Sequence, residues 1–356
     1  MASVTFVVMA GGSGERLWPL VRAGVPKVCI SLDGDKTLLH ATLARLHGCV
    51  REARLLIVTT AAQVGPIRRT LPRHFSQTLL VEPEPKNTAA CLTLAAAVVA
   101  RRDPSTVMVA LPADHWIKPV AALHRSWRAG IELAQRTSQL VLVGLPPTHI
   151  HQGLGHLGVG EEYLRRYECR SFLLRRFIEK PSRATAQRLM RQRRTYWNAG
   201  MFIGQAGTFL SRIARWLPAH ARLIEPLARH VERPGFVRRA AEAYRQLQPI
   251  SFDSGVMVRQ PDGYVVEGRF AWEDLGSWES WVRVDRTTQA GLTVAGHNVQ
   301  VVTSHRARHL VATVGLKDVI VVHTRDATLV CRRTDTQAVR DVVARLSRDR
   351  SLAPYR

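Results

Sequence analysis

Three glycines and two cations near the start of the chain have the residue types and spacing to bind phosphate. Gly11-Gly12-Ser13-Gly14 directly follows a short apolar run, and Arg16 and Lys27 lie two and thirteen residues further on. Glycine adopts positive φ readily and lets the backbone approach a ligand closely. Successive free N–H groups in such a turn form an anion-binding concavity. The turn could simply reverse the chain, but two nearby positive charges favour phosphate binding.

A second candidate is Asp114, which follows an apolar run at residues 106–110. A carboxylate at the carboxyl end of a buried parallel strand lies where open α/β sheets bind ligands. Mg²⁺ prefers such oxygen ligands and is commonly shared with substrate phosphates. An isolated Asp after a strand is often only a turn or cap residue. The neighbouring His115 is as readily an ordinary loop histidine as a site residue.

A third polar segment, Glu82-Pro83-Glu84-Pro85-Lys86-Asn87-Thr88, precedes a strongly helical run at residues 89–102. The prolines favour an extended chain, and Asn87 or Thr88 is predicted to cap the helix. A helix N-terminus beyond the end of a strand is a favourable place for a polar ligand. Capping alone would also explain these two residues.

The elements that must position these residues alternate between strand and helix. Short apolar runs rich in β-branched residues predict buried strands, and apolar residues at helical spacing predict helices. The strands are expected at 4–10, 54–59, 78–81, 106–110 and 140–145, and the helices at 37–49, 61–71, 89–102 and 119–137. This alternation predicts right-handed βαβ units, and hence an α/β fold with a mixed, mainly parallel, Rossmann-like sheet flanked by helices.

The pattern changes in the last part of the chain. A strand at 172–178 and helices to about residue 247 complete the first part. Four short strands are then expected at 299–303, 310–314, 319–323 and 328–331, with a final helix at 336–347. We therefore predict a larger domain over 1–286, which carries the candidate site residues, and a small β-rich C-terminal domain over 287–356. The second domain shows no chemistry of its own, so packing or dimer contact is its expected role.

Composition restricts the class of protein. The net charge of +23 comes from 51 basic and 28 acidic residues, but the basic residues are spread along the chain without a tail or block. We therefore expect neither nucleic acid nor a membrane as partner, although a positive field would attract nucleotides. The five cysteines are far apart and never form a CxxC, which favours a reducing cytoplasm over a disulfide or metal framework. We expect no signal peptide and no membrane span.

The segment 11–27 resembles the signature of the sugar-nucleotide nucleotidyltransferases, GGxGxRLxPLxxxxxPK. Here the match comprises Gly11 to Arg16, Leu17-Trp18-Pro19-Leu20 and Pro26-Lys27. It has no third glycine in GxGxxG spacing and no GK[ST], so it is neither a dinucleotide fingerprint nor a P-loop. The resemblance implies that the glycine-rich turn and Arg16 hold a nucleoside triphosphate, and that Lys27 neutralises charge at its α- and β-phosphates.

Later segments resemble those of one branch, the mannose-1-phosphate guanylyltransferases. The segments are 82–90 (EPxxKNTAPA in the family), 111–115 (LPADH), 144–158, 177–181 (FxEKP), 197–202 (WNSGMF), 251–257 and 272–278 (WSDLGSW). The resemblance implies that Glu82, Asn87 and Thr88 contact the nucleoside, that Asp114 and Asp274 hold Mg²⁺, and that Lys180 grips the sugar phosphate. Residues implied on the sugar side are Gly155, Glu179, Asn198 and Asp253. Ordinary structural explanations are a surface ion pair for Glu179 and Lys180 and a helix cap for Asp274.

Departures from the family pattern concentrate on the sugar side. Leu154 and His156 replace two tyrosines, and Ser254-Gly255 replaces Tyr-Ala. Ile150 and His151 replace a Pro and a Glu, and Ala90 replaces a Pro. The sugar is thus less well determined than the chemistry.

The resemblance implies a nucleotidyltransferase that makes GDP-mannose and pyrophosphate from GTP and α-D-mannose 1-phosphate, with Mg²⁺ as cofactor. We expect a cytoplasmic homodimer without the isomerase domain of longer relatives. Two alternatives stay open. One is the same chemistry on another hexose or heptose 1-phosphate or with another NTP; the other is a catalytically silent regulatory homologue that binds sugar nucleotide.

Overall fold

The computed structural model describes residues 3–33, 36–49, 54–72, 75, 78–284, 292–303 and 310–356. The predicted boundary between residues 286 and 287 lies outside these ranges. All five cysteines are within them and are free thiols. No helix in the described ranges is both long enough and apolar enough to cross a bilayer.

Eighteen strands are present in the described part of the chain. They are β1 (Val4–Met9), β2 (Ser31–Asp33), β3 (Lys36–Thr37), β4 (Leu55–Thr60), β5 (Leu79–Glu82), β6 (Val107–Pro112), β7 (His115–Lys118), β8 (Val141–Leu145), β9 (His156–Arg166), β10 (Cys169–Ile178), β11 (Thr195–Gln205), β12 (Tyr264–Glu267), β13 (Ala271–Asp274), β14 (Leu292–Val294), β15 (Gln300–Thr303), β16 (Ala312–Val314), β17 (Val319–His323) and β18 (Thr328–Arg332).

Ten α-helices accompany these strands over the same described ranges. They are α1 (Leu38–Leu46), α2 (Ala61–Thr70), α3 (Asn87–Ala100), α4 (Val120–Thr137), α5 (Arg183–Met190), α6 (Ala206–Trp216), α7 (Pro218–Ile224), α8 (Phe236–Arg245), α9 (Trp278–Val284) and α10 (Val339–Leu346). Short 3₁₀ turns include Glu15–Leu17, Lys27–Cys29 and Arg333–Ala338, and Asp253–Met257 is a π-helical turn.

Nine of the described strands form one mixed sheet in the order β5-β4-β1-β6-β11-β8-β12-β10-β9. Strands β5, β4, β1 and β6 are mutually parallel, β8 and β12 are parallel to each other, and β10 and β11 run against their neighbours. The sheet is therefore mainly parallel, which confirms the predicted fold class. Two hydrophobic clusters cover its two faces, with α3, α6 and α8 contributing to one and α1 and α4 to the other.

The strand order explains why distant motifs meet. The carboxyl ends of the parallel strands β1, β5, β6 and β8 share one edge of the sheet, as the crossovers of an α/β fold require. The antiparallel strand β11 brings its amino-terminal half to the same edge, because Trp197 pairs with Leu145 and Asn198 with Gly144. Every glycine-rich or acidic motif that follows these strands therefore opens onto one side of the molecule.

The C-terminal domain comprises residues 292–303 and 310–356 of the described chain. It contains a two-stranded sheet of β14 and β16 and a three-stranded sheet in the order β15-β17-β18, followed by the 3₁₀ turn Arg333–Ala338 and α10. The predicted β-rich character is confirmed. A third hydrophobic cluster joins this domain to the segment that follows the glycine-rich turn, with Leu17 and Trp18 packed together with Ile320 and Val339.

Candidate active site

A cleft of about 860 Å³ lies at the carboxyl edge of the main sheet. It is lined by residues from the glycine-rich turn, the start of α3, the segment before β9, the amino-terminal half of β11, the π-helical turn and β13. Predicted site residues on its wall are Ser13, Gly14, Arg16, Asn87, Thr88, Gly155, Glu179, Lys180, Asn198, Asp253 and Asp274. The fold thus collects, around one cavity, side chains that are up to 261 positions apart in sequence.

The glycine-rich turn packs directly on Lys27. Gly14 has φ +68, a left-handed conformation that favours glycine, and a Cβ atom added there would lie 2.6 Å from the Lys27 Cβ. Any side chain at this position would therefore displace the lysine. Lys27 itself is only 5 % exposed and lies beneath the cleft wall rather than on it.

Lys27 holds two carboxylates that come from distant parts of the chain. Its Nζ lies 2.6 Å from Asp114 Oδ2 and 3.6 Å from Asp274 Oδ1. Burial alone would lower the pKa of Lys27, but the two carboxylates outweigh it, so its pKa lies above the ordinary value. Burial would likewise raise the pKa of Asp114, but the adjacent Lys27 ammonium holds it below the usual range. The lysine is therefore charged at neutral pH, and so is Asp114.

A small separate sheet brings Asp274 to this point. Strand β13 pairs antiparallel with β7, which places Asp274 opposite His115, the residue next to Asp114. Gly276 continues the turn after β13, where an added Cβ would approach within 3.3 Å of Asp274 Oδ2 and 3.4 Å of the Arg16 guanidinium. Gly276 therefore lies between Asp274 and Arg16, close to both side chains.

The donor set around Lys27 fits a hard divalent cation. A carboxylate oxygen of Asp114, a carboxylate oxygen of Asp274 and a ring nitrogen of His115 lie within 4.8 Å of one another. Two carboxylates and one ammonium leave a net charge of −1, which attracts a cation. Mg²⁺ commonly takes one or two protein carboxylates and completes its shell with water and substrate phosphate.

His115 is buried, and its Nδ1 accepts a hydrogen bond of 3.2 Å from the Trp272 indole N–H. Burial lowers the pKa of His115 despite the neighbouring Asp114 and Asp274. The ring is therefore neutral at pH 7, and it shapes the wall beside the two acids.

A cluster of polar side chains lines another part of the cleft wall. Asn198 Nδ2 donates a 2.8 Å hydrogen bond to Asp253 Oδ1, and the Asn198 Oδ1 accepts one of 3.1 Å from the Gly200 N–H. Lys180 Nζ lies 3.2 Å from Glu179 Oε1, and its side chain is 65 % exposed. Carboxylates and an amide with fixed orientation can read the directions of sugar hydroxyls.

Gly155 packs closely against the same polar cluster. A Cβ there would lie 3.0 Å from Glu179 Oε2 and 3.2 Å from the Phe177 ring, and its carbonyl accepts a 2.8 Å hydrogen bond from the Asn198 N–H. The glycine therefore lets the loop before β9 lie against both polar residues. Burial and the nearby Glu179 raise the pKa of Asp253 to about 7, which lowers the negative charge of this cluster at neutral pH.

The start of α3 differs from the sequence prediction. The helix begins at Asn87, with Lys86 at the N-cap position and no side-chain cap. Asn87 has φ +67 and its side chain accepts a hydrogen bond from the Thr88 N–H, while Thr88 Oγ1 accepts one of 2.9 Å from the Phe252 N–H. The prediction that Asn87 or Thr88 caps a helix starting at Ala89 was wrong. Instead, Thr88 ties this helix to the π-helical turn that carries Asp253.

Five predicted site residues are not among the residues that line the cleft. They are Gly11, Gly12, Lys27, Glu82 and Asp114. Glu82 is 4 % exposed and accepts a 3.2 Å hydrogen bond from the Tyr244 hydroxyl. Burial raises the pKa of Glu82 to about 8, so this carboxyl is mostly neutral at pH 7. It lies under Gly11, where an added Cβ would be 3.9 Å from Glu82 Oε2.

The structure also brings residues to the cleft that the sequence did not indicate. Gln337 and Arg340 come from the C-terminal domain, for which no chemistry was predicted. Their position depends on how the two domains pack, and no local pattern encodes that. His151 was noted in the sequence only as a departure from the family pattern, yet it lines the cleft together with Trp272.

Comparison with known proteins identifies relatives along the whole chain. Residues 5–291 match the family described as nucleotidyl transferase, and residues 293–346 match the MannoseP isomerase/GMP-like beta-helix domain. The mannose-1-phosphate guanylyltransferase of Escherichia coli K12 is 34% identical over 352 residues, covering 96% of this chain and 73% of the relative. Xanthan biosynthesis protein XanB of Xanthomonas campestris is 31% identical over 353 residues, covering 97% and 74%.

A solved structure gives the same result. The mannose-1-phosphate geranyltransferase from Thermus thermophilus superimposes with a TM-score of 0.81 at 30% identity, covering 97% of this chain and 99% of that one. The likeness therefore extends through the C-terminal domain as well as the main sheet.

The contact between Gly14 and Lys27 makes a stability prediction. Gly14→Ala should lower the free energy of unfolding by about 1–3 kcal/mol, because the new methyl group must displace Lys27 and the residue must keep a left-handed backbone. Urea unfolding measures the change. Gly12→Ala is the matched control, since nothing lies within 4 Å of its added Cβ. Equal stability of the two variants would contradict the assigned packing.

The buried Glu82 makes a prediction about pH. Its pKa of about 8 exceeds the ordinary 4.5, so the folded state binds more protons than the unfolded state between these values. Its contribution to stability is therefore fully present below about pH 4.5 and is lost as the pH rises toward 8. Glu82→Gln removes this loss while keeping the acceptor for Tyr244. The variant should gain more than about 1 kcal/mol over wild type between pH 5.5 and 8.5. Parallel pH profiles from urea unfolding would show that Glu82 titrates normally.

Proposed function

The chain belongs to the nucleotidyl transferase family, in its mannose-1-phosphate guanylyltransferase branch, and we propose that it makes GDP-mannose and pyrophosphate from GTP and α-D-mannose 1-phosphate. It is an enzyme of the transferase class. A phosphate oxygen of the sugar phosphate attacks the α-phosphorus of the triphosphate in line. The α-phosphorus–oxygen bond to the β-phosphate breaks, and pyrophosphate leaves with that electron pair.

One observation supports this proposal above the others. One cleft brings together a glycine-rich turn of the kind that binds phosphate, a pair of carboxylates and a polar cluster suited to sugar hydroxyls. Two anionic substrates repel each other in water, so their reaction depends on positioning and neutralisation of charge more than on covalent help from the protein. The cleft volume of about 860 Å³ and its two groups of polar residues support the binding of both substrates in one cavity.

We assign the triphosphate to the end near the glycine-rich turn. Ser13 and Gly14 present backbone to the cavity, and Arg16 adds a cationic side chain on the wall. Lys27 acts from directly beneath Gly14, where it steadies the two acids and adds positive charge close to the α- and β-phosphates. Positive charges held in place before the reaction stabilise the charge that develops as pyrophosphate leaves.

Asp114 and Asp274 are the proposed ligands of Mg²⁺. When bound, the ion withdraws negative charge from the triphosphate and helps to align it. The three charged side chains sum to −1 without the ion, so the assembled centre carries +1. Lys27 keeps the two carboxylates together, and the β7–β13 pair fixes their separation.

We assign the sugar phosphate to the polar cluster on the cleft wall. Lys180 is the cation that would meet its phosphate, and its exposed ammonium is free to move from Glu179 to the substrate. Glu179, Asn198 and Asp253 are the proposed hydroxyl contacts. Asn87 and Thr88 border the cavity at the start of α3, where the nucleoside would lie.

A second candidate is the same reaction on another sugar 1-phosphate. Of the four departures on the sugar side, Leu154 and Ser254 line the cleft. His156 is 1 % exposed, and Gly255 is buried against Leu217. His151, which replaces a Glu of the family pattern, also lines the cleft, so three altered side chains face the cavity and keep a different hexose or heptose open. We also keep a homodimer and a cytoplasmic location as predictions.

The substrate pair is tested by an assay of pyrophosphate release. Purified protein is given each of the four common NTPs with a panel of hexose and heptose 1-phosphates in the presence of Mg²⁺. We expect the highest kcat/KM for GTP with mannose 1-phosphate. A higher value with another sugar would establish the second candidate, and no release with any pair would indicate a regulatory homologue.

The metal assignment is tested with Asp274→Asn. The variant should fold normally, because Lys27 keeps its shorter contact with Asp114, and its turnover in Mg²⁺ should fall by about 10²-fold or more. Paramagnetic resonance of added Mn²⁺ gives a readout independent of activity, and binding should weaken in parallel. Glu279→Gln is the control, since Glu279 is an acid five residues away that pairs with Arg283 outside the cleft. Near-normal kinetics and Mn²⁺ binding would remove Asp274 from the metal site.

A further inference from the structure

The C-terminal domain borders the phosphate end of the cleft. Helix α10 packs against the 3₁₀ turn Glu15–Leu17, which directly continues the glycine-rich turn. Two further contacts fasten the same region: the Trp18 indole N–H donates a 2.7 Å hydrogen bond to the Tyr355 carbonyl, and Arg22 contacts both carboxylate oxygens of Asp326 at 2.7 Å. The loop that would hold the triphosphate is therefore held from both domains.

Gln337 contacts the arginine of the glycine-rich segment. Arg16 Nη1 donates a 2.8 Å hydrogen bond to Gln337 Oε1, across 321 positions of sequence. A long arginine side chain on a cleft wall samples many rotamers unless a partner holds it. An amide oxygen is a suitable partner, because it orients the guanidinium without neutralising its charge.

Arg340 adds a cation of its own. In the described part of the chain, the cleft wall carries three cationic side chains: Arg16, Lys180 and Arg340. It also carries four acids, which are Glu15, Glu179, Asp253 and Asp274. Arg340 lies 3.6 Å from Asp341, but both side chains are at least 70% exposed, so this pair is weak in water. Its guanidinium is therefore available to a ligand.

The charge of the two substrates favours a further cation at the cleft. A nucleoside triphosphate and a sugar phosphate together bring several negative charges into a cleft whose wall has more acids than cations. Arg340 lies on α10, which packs against the turn that carries Arg16, so we assign these two arginines to the triphosphate end. Guanidinium groups bind phosphate oxygens through paired, charge-assisted hydrogen bonds.

We propose that the C-terminal domain completes the triphosphate site: Arg340 contacts the β- and γ-phosphates that leave as pyrophosphate, and Gln337 positions Arg16. This proposal rests on the proposed function, because it assumes that a nucleoside triphosphate occupies the end of the cleft near Gly14. It gives the second domain a role in substrate recognition beyond packing.

Binding measurements on the full chain test the role of Arg340. Calorimetry with GTP, GMP and inorganic pyrophosphate is compared for wild type, Arg340→Ala, Arg340→Lys and Arg345→Ala. Arg345 is the matched control, since it is an exposed arginine on the same helix that does not line the cleft. Arg340→Ala should raise the Kd for GTP and pyrophosphate about tenfold and leave the Kd for GMP unchanged. Arg340→Lys should recover part of the loss.

If Arg340→Ala and Arg345→Ala weaken GTP binding equally, the effect comes from the overall charge of the protein, and the assignment of Arg340 is wrong. Unchanged GTP binding in both variants would also contradict it. These readouts do not require turnover. If wild type binds GTP more tightly than GMP but releases no pyrophosphate with any sugar phosphate, the proposed function is wrong. The binding data would still decide whether Arg340 contacts the β- and γ-phosphates.

The positioning role of Gln337 is tested by a double-mutant cycle with Arg16. If Gln337 acts through Arg16, the double variant Arg16→Ala/Gln337→Ala should bind GTP no more weakly than Arg16→Ala alone. Gln337→Ala alone should raise KM for the nucleotide and leave KM for the sugar phosphate unchanged. Additive losses in the cycle would show that Gln337 acts independently of Arg16.

Discussion

The contact of Lys27 with Asp114 and Asp274 is the interaction on which the site depends. A buried ammonium and a largely covered carboxylate are each unfavourable alone, and only their pairing makes burial tolerable. The pairing requires three separate segments to meet: the turn after Pro26, the end of β6 and the end of β13. Once these segments meet, the position of the glycine-rich turn is fixed, because Gly14 contacts the Lys27 side chain directly.

The same constraint links the two domains. The glycine-rich turn lies between the two acids, which follow β6 and end β13, and the C-terminal domain, which packs against Leu17 and Trp18. A shift of either partner would move the backbone that faces the cavity. In a densely packed protein such shifts are resisted, so the hydrophobic contact between the domains also maintains the polar geometry of the cleft. The small domain thus contributes to the site, although it contains no sequence motif that predicts this role.

The fold was predictable because it follows from local patterns, and eleven of the predicted site residues line one cleft. Short apolar runs and helical periodicity identify β1, β4, β6 and α4 closely, and strand–helix alternation implies parallel pairing. The start of α3 was misplaced, since Lys86 rather than Asn87 or Thr88 occupies the N-cap position. Thr88 instead accepts a hydrogen bond from Phe252, a contact across 164 positions that no local propensity contains. Glu82 is similar: its sequence context suggests a ligand contact, whereas the packing of Tyr244 leaves it buried and raises its pKa.

By itself, the sequence determined the chemistry that is possible: a glycine turn for phosphate, acids for a divalent cation, and a family resemblance that covers nearly the whole chain. It did so because turns, strand ends and their residue types are local properties, set by sterics and hydrogen bonding within a few residues. Only the tertiary structure decided which side chains face the cavity. Asp274 meets Asp114 through the pairing of β13 with β7, and Arg340 reaches the cleft through the packing of α10 on the turn at Glu15–Leu17. These placements depend on contacts between segments more than 150 residues apart, and such contacts stabilise the protein only once the chain has folded.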